Sequence, residues 1–439
     1  MDRTLDLLTD WMPRQRWYAG KGRAPKLRLV AEWALPCPDP AARVRVLVLA
    51  DDATEPPTLY QAPVVSCHSS ASGPHEIGPA ENGTVLVDGP HHAAYAAALL
   101  GLATEGGAHA AGALRGIPSS STQGAPRNAR ARVLSGEQSN TSIIYHAESG
   151  APVICKLYRQ LHPGLNPDIE LQTALAEGRS TRVPRAVGHV TGTWPGTNGH
   201  PQTGSLAFAQ EFLDGVEDAW RVALRAAEHD EDFSALAREL GRATADVHTT
   251  LATLFDTRPA SEADRAGVVD SWRRRLALAV SAAPRLDQWR GAIESAYARA
   301  AGEDWPPLQR VHGDYHLGQV VHAPGRGWVL LDFEGEPLRP MAERVRPDLA
   351  LRDVAGMLRS FDYAAGAVGH EAATRWALAA RHAFLDGYAA ASGLDLAAHH
   401  TLLVALELDK AVYETVYELR NRPDWAAIPL AAVHRLAAR

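Results

Sequence analysis

Residues 311–336 read VHGDYHLGQVVHAPGRGWVLLDFEGE, in which Asp314 is followed five positions later by Gln319 and an apolar run ends at Asp332. The stretches 319–322 and 328–332 flank the turn APGRG, a pattern that predicts a β-hairpin. Folding back this way lets Gln319 and Asp332 face one pocket from adjacent strands, with Asp314 on the loop before them. Phosphoryl transfer to an alcohol asks for this set. One Asp accepts the hydroxyl proton, an amide oxygen five positions on helps hold a metal, and a second Asp bridges that metal to the phosphates. Oxygen donors alone suit Mg2+. An ordinary polar turn would account for any one of these residues, but their order, spacing and hairpin context together argue against it. His312 reads as a brace for the loop backbone, and His316 is grouped with the acceptor-facing residues.

Those groups need a second wall for the nucleotide, and the preceding segment supplies one. Lys156 lies in the apolar strand VICKLY, whose neighbours bury its stem and leave its ammonium for phosphates. A helix is expected after Pro167, with Asp168 as an acid in its first turn and Glu170 as the acid that orients Lys156. The turn at 136–142 has no GxGxxG, yet Ser139, Asn140 and Thr141 can cover phosphates with hydroxyl, amide and backbone groups. Residues 210–213 end the β-rich part and read as a hinge, with Gln210, Phe212 and Leu213 meeting the adenine edge. Helical periodicity dominates from 233 onward, interrupted by the hairpin.

The bulk properties fit such an enzyme. Hydrophobic residues make up 46% and charged residues 22% of 439, a composition of a folded protein with more than one core. A net charge of −7 argues against a partner bound by neutralising a nucleic-acid backbone. Three scattered cysteines fit neither a disulfide framework nor a zinc site, and no stretch is long and apolar enough for a bilayer. The N-terminus lacks a signal-peptide apolar core, so a cytoplasmic location is expected. Three parts follow: a β-rich cap with a helix over 1–115, a small β-rich nucleotide lobe over 116–213, and a helical lobe over 214–439. Residues 106–130, rich in Gly, Ala, Ser and Pro, read as a linker. The oligomeric state is not legible.

Several segments resemble actinobacterial maltokinases, within the aminoglycoside-phosphotransferase-like kinases. These are WMPRQRWYAGKGR at the start, EQSNTS at 137–142, NPDIE at 166–170, HGDYHLGQ at 312–319, DFEGEP at 332–337, LRDVAGMLRSFDYAA at 351–365 and ELDKAVYETVYELRNRPDW at 407–425. The resemblance implies an α+β, bilobal protein-kinase-like fold with an added N-terminal cap, using ATP and Mg2+ to phosphorylate a sugar. It carries over Asp314 as base, Gln319 and Asp332 as metal ligands and Lys156 as phosphate contact. An acceptor site is expected on the helix over 402–420, where Glu407, Lys410, Glu414 and Tyr417 recur at helical spacing, with Tyr413 and Trp425 as sugar-facing rings. The segment after residue 213 is shorter than in maltokinases and residues 64–89 diverge. Related kinases of this group phosphorylate glucosamine, and Asp409 and Glu414 suit an ammonium-bearing sugar. Glucosamine phosphorylated at its 6-hydroxyl is therefore the expected reaction, with maltose and aminoglycosides as the rival acceptors.

Overall fold

The computed structural model describes residues 3–37, 39–68, 75–120, 129–134, 139–146, 150–196, 199–337 and 339–438. The chain divides into two compact units, Met1–Glu177 with Pro184–Asp214, and Gly178–Val183 with Gly215–Arg439.

The first unit opens with helix α1 (Thr4–Trp11), strands β1 (Leu27–Leu35), β2 (Arg43–Asp51), β3 (Thr58–His68), β4 (Glu76–Pro79) and β5 (Thr84–Asp88), and helix α2 (Ala93–Glu105). The strands pair antiparallel in the order β1-β2-β3-β5-β4. Strand β2 is buried at every position after Arg43 because both of its faces are covered, and its central run Val46–Ala50 is wholly apolar. Leu47 and Leu49 join Leu8 of α1 and Met12 just after it. Val44, Val46 and Val48 point the other way, into a core shared with α2 and a second sheet.

That second sheet contains β6 (Gly107–His109), β7 (Leu114–Pro118), β8 (Arg130–Val133), β9 (Asn140–His146), β10 (Val153–Tyr158), β12 (Ala186–Pro195) and β13 (Pro201–Glu211). Its order is β6-β7-β12-β13-β10-β9-β8, whereas β11 (Gln160–Leu161) joins β3 of the first sheet. Helix α3 (Pro167–Glu177) packs Ile169 against Tyr158 and Phe208.

The expected linker over 106–130 is thus largely structured: β6 and β7 lie in it, and the expected border at 115/116 falls inside β7. Residues 121–128 lie outside the described residues. The glycines here serve close packing. A Cβ on Gly116 would stand 1.8 Å from the Leu102 carbonyl oxygen, and one on Gly188 2.0 Å from that of Ala103. Gly188 and Gly192 also interrupt the apolar alternation of β12, which hid that strand in the sequence.

In the second unit β14 (Glu217–Asp218) precedes α4 (Ala219–Glu228), α5 (Ser234–Leu254), α6 (Glu262–Ala282) and α7 (Arg290–Ala301). The hairpin β15 (Val320–Ala323) and β16 (Gly327–Leu330) follows, then α8 (Met341–Arg344), α9 (Ala350–Val368), α10 (Glu371–Ser392), α11 (His400–Asn421) and α12 (Ala427–Ala437). Helices α5 and α10 approach backbone to backbone. A Cβ on Gly241 would stand 2.1 Å from the Phe384 oxygen, and one on Gly387 2.0 Å from the Arg238 oxygen. Gly387→Ala should force these helices apart and lower stability by about 1–3 kcal/mol, read as a fall in the urea or thermal midpoint. An unchanged midpoint would show that the helices relax freely.

Candidate active site

The hairpin forms as the spacing predicts, with Val320 opposite Leu330 and Val321 opposite Val329. Strand β14 pairs with β15 to widen it to three strands. The Gln319 oxygen accepts from Leu331 N at 2.9 Å, and the Gln319 side-chain amide donates to Asp332 Oδ2 at 3.1 Å. Gln319 and Asp332 are thereby brought together at one end of the hairpin. Asp332 has a φ of 62°, a left-handed conformation that costs a non-glycine residue on the order of 1 kcal/mol. A carboxylate oxygen of Glu334 lies within 4.8 Å of one from Asp332, giving an acid that sequence reasoning missed.

The Asp314 loop is fixed from behind by Asp353, near the start of α9. Its Oδ2 accepts from His312 N at 2.8 Å and its Oδ1 from Gly313 N at 2.9 Å. His248 Nε2 meets the same Oδ2 at 3.1 Å, while His248 Nδ1 is 3.0 Å from the Tyr388 hydroxyl. Burial alone would raise the Asp353 pKa, but the His248 contact and the backbone donors hold it below the ordinary carboxylate value. His312 braces the loop as expected: its Nε2 donates to the Leu331 oxygen at 2.8 Å, joining the loop to the hairpin. His316 caps the turn Leu317–Gln319, its Nδ1 accepting from Gly318 N at 3.1 Å. Burial lowers its pKa, consistent with a ring nitrogen kept as acceptor.

Helix α11 brings Lys410 to the Asp314 carboxylate, with Nζ 3.5 Å from Oδ1 and 2.5 Å from Glu336 Oε1. Burial works against the ammonium, yet Glu336 first, then Asp314 and Glu414, raise its pKa above the ordinary lysine value. Burial likewise opposes the Glu336 charge, and Lys410 overcomes it, pulling Glu336 down to about 2. The Tyr413 ring lies 5.7 Å from the Lys410 ammonium. Burial, with Glu336 next, pushes the Tyr413 hydroxyl up to about 12. Arg344 on α8 donates to the Pro337 oxygen at 2.6 Å, and its charge is felt by Glu334, Asp314 and Asp332.

The rest of the expected acceptor stripe is divided by the helix. Glu414 accepts twice from Arg359, at 2.9 and 2.8 Å, and Glu407 accepts from Arg381 at 2.8 Å, both inside the helical core. Asp409 is ion-paired with Arg275 of α6 and leaves its Oδ1 buried without a partner. Burial raises the pKa of both Asp409 and Glu414. Tyr417 is 41% exposed and stacks on Tyr413 at 6.4 Å. Trp425 packs on Tyr363 at 6.3 Å and on the Arg422 guanidinium at 4.8 Å. Of the three expected aromatic residues, Tyr413 is thus the one beside Lys410 and under the influence of the Asp314 charge.

Strand parity explains where Lys156, the expected phosphate contact, sits in the first unit. Cys155 and Leu157 enter the core, so Lys156 emerges on the opposite face, level with Ser142 and Phe208. Its Nζ is 3.3 Å from Asp168 Oδ2. Asp168 is buried in the first turn of α3, held by Gln172 and by its own backbone N donating to Asn166 Oδ1 at 2.8 Å. Asp168 therefore sits on Lys156, two residues before Glu170, the acid expected to orient it, which is half-buried in the same helix. Two other expected nucleotide contacts are already engaged. Thr141 Oγ1 accepts from Arg159 Nε at 2.9 Å, and Phe212 N donates to the Pro152 oxygen at 2.9 Å. Ser139 and Asn140 lie at the exposed and half-buried start of β9, and residues 136–138 of the expected turn lie outside the described residues. Gln210 has a buried Oε1 without a partner, and Leu213 is half-buried just past β13.

Two measurements follow from this geometry. Asp353→Asn keeps the size of the side chain but cannot accept all three donors, so the Asp314 loop shifts and kcat should fall about a hundredfold. A kcat within twofold of the unaltered protein would remove Asp353 as the brace. Glu336 ionises more readily in the folded state than its ordinary value of 4.5, so its share of stability is present above that pH and lost toward about 2. Glu336→Gln should therefore flatten the fall of stability across that window, and an identical slope would exclude it.

Residues 11–92 match the maltokinase N-terminal cap domain, and residues 130–400 match the phosphotransferase enzyme family. The chain is 31% identical over 315 residues to a glucosamine kinase of Streptacidiphilus jiangxiensis, covering 67% of this chain and 70% of that protein. A glucosamine kinase of Mycolicibacterium smegmatis is 30% identical over 336 residues, covering 70% of this chain and 79% of that one. In fold the chain is similar to a glucosamine kinase solved with glucosamine, ADP and inorganic phosphate, with a TM-score of 0.71, 24% identity and 99% coverage of each chain. With the Asp314 loop and the hairpin inside the matched range, this chain belongs to the phosphotransferase enzyme family, and within it to the family of the two glucosamine kinases.

Proposed function

We propose that the chain transfers the terminal phosphate of ATP to the 6-hydroxyl of glucosamine, with Asp314 as the general base. The observation that carries this reading is the Asp314 loop, pinned by Asp353 and touched by Lys410, in a chain two-thirds covered by a glucosamine kinase. The hydroxyl oxygen attacks the γ-phosphorus, the bond to ADP breaks, and the hydroxyl proton passes to Asp314. Lys410 approaches Oδ1 of Asp314, which leaves Oδ2 for that hydroxyl. Lys410 itself, tied to Glu336, sets the direction of the carboxylate and supplies positive charge beside the reacting oxygens.

Gln319, Asp332 and Glu334 form an all-oxygen donor set of the kind Mg2+ takes. When bound, Mg2+ neutralises phosphate charge. Gln319 holds Asp332 in place for that role, and Lys156, fixed by Asp168, contacts a phosphate. Glu336, which shares Lys410 with Asp314, is the nearby acid that supports an ammonium-bearing sugar. A cytoplasmic location fits the use of ATP, and no helix among the described residues is long and apolar enough to cross a membrane.

Initial rates with glucosamine, glucose, maltose and kanamycin should be highest for glucosamine. Faster turnover of maltose would replace the acceptor with the disaccharide. Asp314→Asn should lower kcat about a hundred- to ten-thousandfold while nucleotide still binds. Near-normal turnover would remove it as base.

A further inference from the structure

A cavity of about 390 Å³ opens in the second unit between α6, the segment 305–308 and residues 339–352. Neither Asp314 nor Lys410 is on its wall. Five arginines and three acids line it, and their pairing leaves a definite remainder. Asp264 is taken by Arg258 from outside the cavity, and Arg275 by Asp409, also outside. Arg339 and Arg352 share Asp348, at 3.1 and 2.8 Å, and Glu343 lies 3.6 Å from Arg339. Arg274 and Arg346 are exposed and have no acid partner among the described residues. The unmet charge is two positive units, which matches a phosphate monoester near neutral pH.

The apolar wall points to what the phosphate is attached to. Trp272 and Trp305 line the cavity with ring centroids 6.1 Å apart. Trp305 donates its ring N–H to the Ala300 oxygen at 2.8 Å. Trp272 is 1% exposed, and its Nε1 has no acceptor. A buried indole donor left without an acceptor is uncommon. Little of either ring is open to the cavity, so a hexose would meet Trp272 by offering a hydroxyl to the free N–H rather than by stacking on a ring face.

We propose that this cavity binds a phosphorylated hexose, with Arg274 and Arg346 on the phosphate and Trp272 on a hydroxyl. That such a ligand belongs to the chemical class of the product rests on the proposed function; the binding does not. Occupancy here would report product to the neighbouring helix, because Arg275 spans from the cavity wall to Asp409 of α11.

The test is a titration of the full chain with glucosamine 6-phosphate in the absence of nucleotide, followed by calorimetry and by tryptophan fluorescence. Saturable binding is expected, at least tenfold weaker in the R274A/R346A double variant and weaker in Trp272→Phe. The double variant should keep its initial turnover rate, since neither arginine belongs to the Asp314 site. No binding, or unchanged affinity in the double variant, would overturn the site; the latter would place the ester in the acceptor position. Inorganic phosphate binding as tightly as the ester would overturn the tryptophan wall as a sugar contact. Failure of the kinase reading shows separately, as absent turnover of glucosamine whatever the titration gives.

Discussion

Asp353 carries its charge where water cannot reach it, so the protein must supply every donor that water would have given. It does so with two consecutive backbone N–H groups of the Asp314 loop and one ring of His248. The arrangement runs both ways. The carboxylate is tolerable only while the loop keeps its shape, and the loop keeps its shape because the carboxylate demands it. Gly356, one turn along α9, lets the helix come this close: a Cβ there would stand 2.6 Å from the Tyr315 oxygen. Gly313 does the same on the other side, with a φ of 86° and a Cβ position 3.1 Å from Gly335 Cα. The loop of the proposed base and the loop after Asp332 are therefore held edge to edge, and neither position accepts a side chain.

Further along α9 the same logic is used at larger scale. Asp362 accepts from Arg359 at 2.6 Å, Arg381 at 3.4 Å and Arg435 at 2.6 Å. Arg359 goes on to Glu414, and Arg381 to Glu407. Four helices are thus tied by charges that are costly to bury singly and acceptable only as a set. One consequence is the direction of α11. Fixing Glu407 and Glu414 to the core turns the flank beside them, with Lys410 and Tyr413, toward Glu336 and Asp314.

How far the sequence carried the reading follows from the range of each interaction. Gln319 and Asp332 were legible because a tight hairpin links them within a few residues. Asp353 was not, although it stands inside a segment that marks the family. Its role depends on α9 meeting a loop 40 residues earlier in the chain, and no local period encodes that meeting. The ion pair of Asp168 with Lys156 is of the same kind. Asp168 was legible as an acid of the first helical turn, but only the angle at which α3 lies on the sheet brings it to Lys156. The contact of Thr141 with Arg159 was hidden for want of strand phase. Asn140 and Thr141 point to opposite faces, and the inward one met Arg159. Composition misled at residues 106–130, where small residues mark tight packing against α2 rather than freedom of the chain.

Arg159 shows why that region has to be tight. It is fully buried, with Asp88 accepting twice, at 3.1 and 2.9 Å, and the Trp17 ring 4.6 Å from its guanidinium carbon. Gln61 next to it donates to the Tyr158 and Leu206 oxygens at 3.0 and 2.9 Å, tying β3 of the first sheet to strands of the second. A polar seam of this kind has one satisfied arrangement, whereas an apolar seam of equal area would tolerate sliding. Lys156 lies three residues from Arg159, on the strand whose end the seam fixes. The first sheet, with no proposed contact to nucleotide or sugar, thus bears on the proposed reaction by fixing the strand that carries Lys156.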